Sequence, residues 1–526
     1  MNHNSDLRFI KNINGEFLIL IFDKVEDSLK IINDRFTSIP FYYNYNKEIS
    51  ANFANLWGQL VLVNYKVILE YITFVHSLKI ISSLQDINLI PVYSEDSDYI
   101  KGLIEHGVPR NSFLSKLSIR NVNAVPLFNK AKKIIKYNRF TRYKFSEFNY
   151  LLFQNYNEHN IDYFNKKRSV LVLPLDINNF IIKNRNISIN TPDKILIPIK
   201  RNVNKMVLKI SDVADQFDLS FSDSQLIYLE NITSNIFLET YILMKSMESN
   251  VLKWKGEKIF LGCNSSHQTR MFTLLMKNRG VEINGFMHGN PLAHELDWVS
   301  WLDLPFADNF YTFTDHSAKA FRDTAKRFPA PNMNNCKIIG ANTSIFQPYK
   351  VNKYAGVRKK VSKKIMIVTC PYTYENQALP HFVPNLVKLH FEYKLVELLY
   401  NAGYSVLYQK HPGDYFRDKN ISFFPKAEII YQPFEESMAL ADAFIFYHTR
   451  TSTLGPALCT NKPIIILDGG WEPINPNMKL ILENRCSIFS VIINNDNLYE
   501  FDLGKIETAL HDEEKCNNDE FINLFL

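Results

Sequence analysis

Residues 404–416 read YSVLYQKHPGDYF, and after a spacer residues 439–468 read ALADAFIFYHTRTSTLGPALCTNKPIIILD. Ser405 to Gln409 is a short β-branched and aromatic run that stops at Lys410-His411-Pro412-Gly413, where Pro and Gly turn the backbone away. Residues 443–447 form a second strand of the buried type. They run into Thr449-Arg450-Thr451-Ser452-Thr453 and then into the helical pattern of residues 454–459. Pro463 to Leu467 supplies another apolar strand after this one short helix, which predicts a βαβ unit with parallel strands. In such units the loops that follow the strands gather at one edge of the sheet. Lys410, His411 and the hydroxyls of Thr451, Ser452 and Thr453 are therefore expected at one edge, and free N–H groups at a helix start suit a phosphate-bearing ligand.

These residues also carry a family resemblance. The Lys410-His411-Pro412 turn, the Ala441-Asp442 strand, the Thr451-Ser452-Thr453 loop and Asn461-Lys462-Pro463-Ile464 together resemble the donor domain of GT-B glycosyltransferases. Within that superfamily they are most similar to bacterial sialyltransferases, Kdo transferases and CDP-glycerol phosphotransferases of surface-polysaccharide synthesis. The likeness runs over about residues 259–482. It implies an α/β fold of two Rossmann-like domains facing a central cleft, with an N-terminal α/β elaboration. The expected division is an acceptor-side domain over 1–346, with a candidate subdomain at 1–165, then a linker over 347–364, a nucleotide-donor domain over 365–500 and a helical tail over 501–526.

At 526 residues the chain exceeds one hydrophobic core and predicts two or three domains. A content of 46% hydrophobic and 22% charged residues is that of an ordinary globular protein. The net charge of +6 is modest for this length, no aromatic-interleaved RNA-binding signature occurs, and no nucleic-acid partner is expected. The six cysteines show no CxxC pair and no zinc spacing, so reduced buried thiols are expected. The start, MNHNSDLRF, lacks a basic segment followed by an apolar one, which predicts a cytoplasmic protein.

Along the chain, residues 7–23 alternate as a hairpin around Asn14-Gly15, followed by a helix over 25–35. Residues 52–83 are rich in apolar side chains, but Asn64, Lys66, Glu70 and His76 interrupt them before a membrane span is reached, so a core helix is expected. Strand 87–93 and helix 96–106, with Ser94 and Asp96 as caps, predict α/β structure near the N-terminus. Residues 116–144 carry nine Lys and Arg and no acid. That run fits a solvated helix face, or peripheral contact with an anionic inner-membrane surface or a polyanionic acceptor. Short strands are expected at 169–175, 194–200 and 206–210, a long helix over 222–252, and a strand, loop, helix, strand run from 258 to 287. Residues 307–313 and 337–340 supply two further strands.

Transfer from a nucleotide-activated donor requires a holder for the leaving phosphate and a base for the acceptor hydroxyl. By the resemblance, His411, in the turn set by Pro412, and Thr451, Ser452 and Thr453 contact donor phosphate, with Lys410 adding charge. Taken alone, the same residues also fit a core histidine and hydroxyls that merely cap a helix. His288-Gly289-Asn290-Pro291 follows strand 281–287 and resembles the HG-x-P turn of CDP-glycerol phosphotransferases, whose histidine is taken as the base. An imidazole titrating near about 6.5 suits that role, although a turn histidine bonded to backbone fits the residue too. The sialyltransferases use an acid in the N-terminal half, which makes Glu295, Asp297 and Asp303 alternatives. Gly289, Asn290, Thr369 and Tyr372 are expected to line the cleft. Glu435 precedes a helix over 437–440, where it either stabilises the helix start or, by the resemblance, binds ribose. No DxD pair stands at a strand end, so neither metal nor cofactor is expected beyond the donor.

The expected activity is a glycosyltransferase of capsule, lipopolysaccharide or O-antigen synthesis. It would move a sugar from a nucleotide-sugar donor, a CMP-linked sialic acid or Kdo-like sugar first, to a glycan or lipid-linked glycan acceptor. The alternatives are transfer of an alditol phosphate from CDP-glycerol or CDP-ribitol, and a non-catalytic scaffold that binds nucleotide or glycan.

Overall fold

The computed structural model describes residues 6–11, 17–22, 60, 63–64, 87–91, 150–153, 170–173, 193–215 and 221–526, the last stretch interrupted at 252–255, 263, 265–266, 288–291, 293–302, 328–334, 342–345, 347–348, 350–362, 371–384, 412–423, 470–473 and 494–498. Near the N-terminus, β1 (Asp6–Lys11) and β2 (Phe17–Phe22) pair antiparallel, with Lys11 opposite Phe17, as the alternation around Asn14-Gly15 predicts. A third strand, β3 (Ile87–Pro91), pairs antiparallel with β2, so this small sheet is a three-stranded antiparallel one. The helices expected over 25–35 and 96–106 and the basic stretch 116–144 lie outside the described residues. So does the helix expected over 52–83, apart from Leu60, Val63 and Asn64, which are helical and buried.

The next sheet is built from β4 (Tyr150–Phe153), β5 (Val170–Leu173), β6 (Lys258–Leu261), β7 (Glu282–Phe286), β8 (Asn309–Thr312) and β9 (Lys337–Gly340). All its strands run parallel, in the order β5-β4-β6-β7-β8-β9. Its helices are α1 (Asp193–Asp215), α2 (Asp223–Val251), α3 (His267–Asn278) and α4 (Asp315–Arg327). The strands expected at 194–200 and 206–210 are instead parts of α1. Their apolar residues look like strand fragments in short windows. Over the whole segment the buried positions are Ile199, Val203, Met206, Val207, Ile210 and Val213, which recur every three or four residues along one helix face. Pro198 lies inside the helix, in its second turn. The expected long helix forms as α2. It begins with a capping box: Ser222 N donates to Gln225 Oε1 at 2.9 Å and Gln225 N donates to Ser222 Oγ at 3.3 Å.

Six more parallel strands make the C-terminal sheet: β10 (Lys364–Val368), β11 (Ser405–Gln409), β12 (Ala427–Ile430), β13 (Ala443–Phe446), β14 (Ile464–Asp468) and β15 (Ser487–Ser490). Their order is β12-β11-β10-β13-β14-β15. Alternation along each strand feeds two apolar cores. Ile365, Ile367, Val406, Ala443, Ile445 and Ile465 face α5 (Asn385–Asn401), whose Phe391, Leu395 and Leu399 share their cluster. Met366, Val368, Leu407, Phe444, Phe446 and Ile464 belong to the other core. Strands covered on both faces read as continuous apolar runs, which is why they stand out in the sequence. Asp442, expected inside a strand, instead accepts from the backbone N–H groups of Lys363 and Lys364 at 3.0 and 2.9 Å and fixes the start of β10.

The other α-helices among the described residues are α6 (Phe434–Ser437), α7 (Leu454–Leu458), α8 (Pro476–Leu482), α9 (Leu503–Leu510), α10 (Glu513–Asn517) and α11 (Glu520–Phe525). The end of the chain returns to the earlier sheet. Thr314 Oγ1 donates to Leu524 O at 2.6 Å and Ser317 Oγ to Phe525 O at 3.0 Å, while Phe521, Ile522, Phe525 and Leu526 are buried in the cluster that holds Phe321 of α4. Phe346 lies in that cluster as well, edge-on to Phe313 at 5.1 Å. None of the described helices is long and apolar enough to cross a membrane. Cys370, Cys459, Cys486 and Cys516 are buried thiols outside any disulfide, and burial pushes the Cys486 thiol up to about 12.

Candidate functional site

Counted along the chain, the C-terminal sheet has the order 3-2-1-4-5-6 of a doubly wound Rossmann sheet, in which the direction of travel reverses between β10 and β13. Ligands of such sheets bind beyond the carboxyl ends of the strands at this reversal. The register says which residues stand there. Val368 is opposite Gln409 on one side and Phe446 on the other. The first residues beyond those pairs are Thr369, Lys410 and Tyr447, and the second are Cys370, His411 and His448. Tertiary structure thus brings Thr369, Lys410, His411 and the loop leading to Thr451, Ser452 and Thr453 to a common sheet edge.

Side chains brace that edge from below. Thr369 Oγ1 donates to Gln409 O at 2.8 Å, Gln409 Nε2 to Gln432 O at 2.7 Å, and Ser437 Oγ to Gln409 Oε1 at 2.7 Å. Three consecutive strand ends and the last residue of α6 are cross-linked in this way. Lys410 is nearly buried, its N–H donates to Ile430 O at 3.0 Å, and its ammonium lies 5.8 Å from the centroid of the Tyr431 ring. His411 is partly buried at the second level, and Pro412 lies outside the described residues.

In the hydroxyl loop, Thr451 Oγ1 and Thr453 Oγ1 are 2.7 Å apart, and Thr453 N donates to Thr451 Oγ1 at 3.3 Å. Thr453 is the N-cap of α7, but its side chain forms no capping bond. The two threonines thus bond within the loop and do not cap the helix through Thr453, while Ser452 is exposed.

Other expected residues fall elsewhere. The helical stretch expected over 437–440 begins earlier: α6 starts at Phe434, so Glu435 and Glu436 occupy its first turn, and a 3-10 turn over Met438–Leu440 continues it. Glu435 is partly buried there and Glu436 exposed. Asp303 is buried, and its Oδ1 accepts from Asn264 N at 2.7 Å just beyond β6. His288, Gly289, Asn290, Glu295, Asp297 and Tyr372 lie outside the described residues. Among the described residues no group of three or more His, Cys, Asp or Glu is placed to hold a metal ion.

Two features escaped the sequence reading. His448 stands level with His411 and Cys370, and only the strand register shows it. The other is a buried polar cluster at the start of α3. Asn64 Nδ2 donates to Leu60 O at 2.9 Å, which leaves Asn64 Oδ1 as the acceptor for Thr240 Oγ1 at 3.1 Å and His267 Nε2 at 2.9 Å. Two acceptors would not face each other at that distance, so His267 carries its proton on Nε2. Burial, helped by Arg270, lowers its pKa to about 3. The unfolded imidazole titrates near about 6.5, so below that value the unfolded chain binds more protons and the folded state loses stability as pH falls. At pH 5 the loss from this group is expected to reach about 2 kcal/mol, read as a lower urea midpoint whose pH dependence shrinks in His267→Gln.

No family model and no curated protein matches the chain. Among solved structures it is similar to Phytolacca americana UGT2, complexed with UDP-2fluoro-glucose and pterostilbene, at 9% identity over 72% of this chain and 94% of that one, with a TM-score of 0.36. It is also similar to the structure of accessory secretory protein 1, 2 and 3 of Streptococcus pneumoniae, at 10% identity over 54% of each chain, with a TM-score of 0.26. Scores of this size fit many α/β arrangements, and the fold described above rests on this chain's own strand order and register.

Proposed function

We propose that this protein is a GT-B-type glycosyltransferase whose C-terminal sheet binds the nucleotide-sugar donor. One observation carries the reading: Thr369, Lys410, His411 and the Thr451–Thr453 loop, picked out in the sequence by chemistry and resemblance, share the carboxyl edge of a doubly wound sheet at its reversal point. A partly buried imidazole, a cation and hydroxyls at such an edge suit a leaving phosphate. In this reading residues 1–346 form the acceptor side, 347–364 the linker and 365–500 the donor domain, with 501–526 closing back on the first. The donor is a CMP-linked acidic sugar and the acceptor a glycan or lipid-linked glycan of a bacterial surface polysaccharide. The reaction proceeds without metal in the cytoplasm, and the basic stretch 116–144 meets the anionic inner membrane.

A second reading, transfer of an alditol phosphate from a CDP-linked donor, is favoured by the His288-Gly289-Asn290-Pro291 turn. Both reactions release CMP, so titration calorimetry with CMP, CDP and UDP tests for a cytidine-nucleotide donor site, and turnover of a CMP-sugar against CDP-glycerol separates the two readings. Tight CMP binding with turnover of a CMP-sugar supports the first, and turnover of CDP-glycerol the second. Absence of binding by all three nucleotides leaves the scaffold. His411→Ala is expected to weaken nucleotide binding by about 1.5–3 kcal/mol, the worth of a hydrogen bond to a charged group. An unchanged affinity in the folded variant would remove His411 from the site.

A further inference from the structure

Glu392 of α5 has no solvent exposure, and both of its carboxyl oxygens accept from phenols: Tyr408 Oη donates to Oε2 at 2.6 Å, and Tyr447 Oη donates to Oε1. Its helix neighbours Phe391 and Leu395 pack in an apolar core, where a carboxyl group costs free energy unless its partners are in place. The partners lead to the sheet edge. Tyr447 is the first residue beyond β13, and its hydroxyl accepts from Cys370 N at 3.4 Å and lies 3.4 Å from Cys370 Sγ. Burial first, then the neighbouring Cys370 and Glu392, hold the Tyr447 phenol well above its ordinary range, so it remains a neutral donor. A chain of bonds therefore runs from α5 through one phenol to the bases of the loops after β10 and β13, the two strands between which the sheet order reverses.

We propose that Glu392 is a positioning residue: through Tyr447 it holds Cys370, just beyond β10, and the start of the 448–453 loop, just beyond β13, against each other, so that a nucleotide meets a preformed edge. This rests on the donor-site reading above. Glu392 itself stays beneath the sheet edge and touches no ligand. Its effect is to fix the Cys370 N–H and the start of the 448–453 loop, as a buried anchor fixes the groups above it.

The main test is Tyr447→Phe, which keeps the ring beside Phe391, 5.1 Å away between centroids, and removes only the hydroxyl. Hydrogen exchange of the Cys370 amide should quicken at least about tenfold when its acceptor is lost. Affinity for whichever of CMP, CDP and UDP the wild type binds should fall by about 10- to 100-fold, the scale of a small misplacement of binding groups. Glu392→Gln should act in the same direction but less, because its amide oxygen still accepts one phenol. A folded Tyr447→Phe with wild-type exchange at Cys370 overturns the proposal. Faster exchange with unchanged affinity overturns it too, leaving the network a purely structural one. If the wild type binds none of the three nucleotides, the donor-site reading fails, and the exchange result alone decides whether Glu392 holds the loops.

Discussion

Phe346→Ala is expected to lower the unfolding free energy by about 3–5 kcal/mol, the range for truncating a fully buried aromatic ring. Phe346 is 1% exposed and follows β9 of the earlier parallel sheet, yet it packs against α7 of the later one. A methyl group on Gly455 would lie 2.1 Å from Phe346 Cε1 and 2.3 Å from Cζ, so the ring occupies the space that any other residue at 455 needs. Gly455→Ala should therefore cost about 1–3 kcal/mol through overpacking, and that cost should vanish in the Phe346→Ala background. Urea unfolding of the wild type, both single variants and the double variant measures the coupling. Additive effects would mean that the ring and the glycine do not meet. Gly455 stands two residues after Thr453, so this contact also ties the chain between the sheets to the end of the hydroxyl loop.

His288→Ala is expected to reduce turnover by about a hundredfold to ten-thousandfold, the usual contribution of a general base, while donor affinity stays nearly unchanged. The strand β7 ends at Phe286 and Met287 is buried, so in sequence His288 follows a carboxyl end of the earlier parallel sheet, the edge at which such sheets take ligands. In the same reading His411→Ala weakens donor binding, and the two variants separate chemistry from binding. Steady-state kinetics with the donor identified by calorimetry, at saturating donor, checks the pair. Full turnover by His288→Ala would pass the role of base to Glu295, Asp297 or another acid.

The parts of the fold legible in the sequence are those whose local chemistry agrees with their burial. The runs at 405–409, 443–446 and 464–468 supply side chains to both cores, and the Pro-Gly pair in the sequence after His411 and the hydroxyls after Tyr447 mark where strands stop. The Ser222 to Gln225 capping box announces α2 in the same way. In the segment 193–215 β-branched residues favour strand locally, while the packing of one helix face decides the outcome over more than twenty residues. YLLF at 150–153 is too short to be told from any buried run, and it becomes a strand only by lying between β5 and β6.

By itself, then, the sequence determined which chemistry-bearing residues follow which strands, since strand, turn and helix start are set within a few residues of each other. The order of the strands across the sheet depends on contacts between segments far apart in the chain, and no local pattern encodes it. Only the tertiary structure decided that β13 returns beside β10, that His448 stands level with His411, and that Glu392 reaches the switch point through Tyr447, 55 residues away. The same holds for the close fit of Phe346 on Gly455, because a glycine's vacancy has meaning only once the side chain that fills it has been brought there.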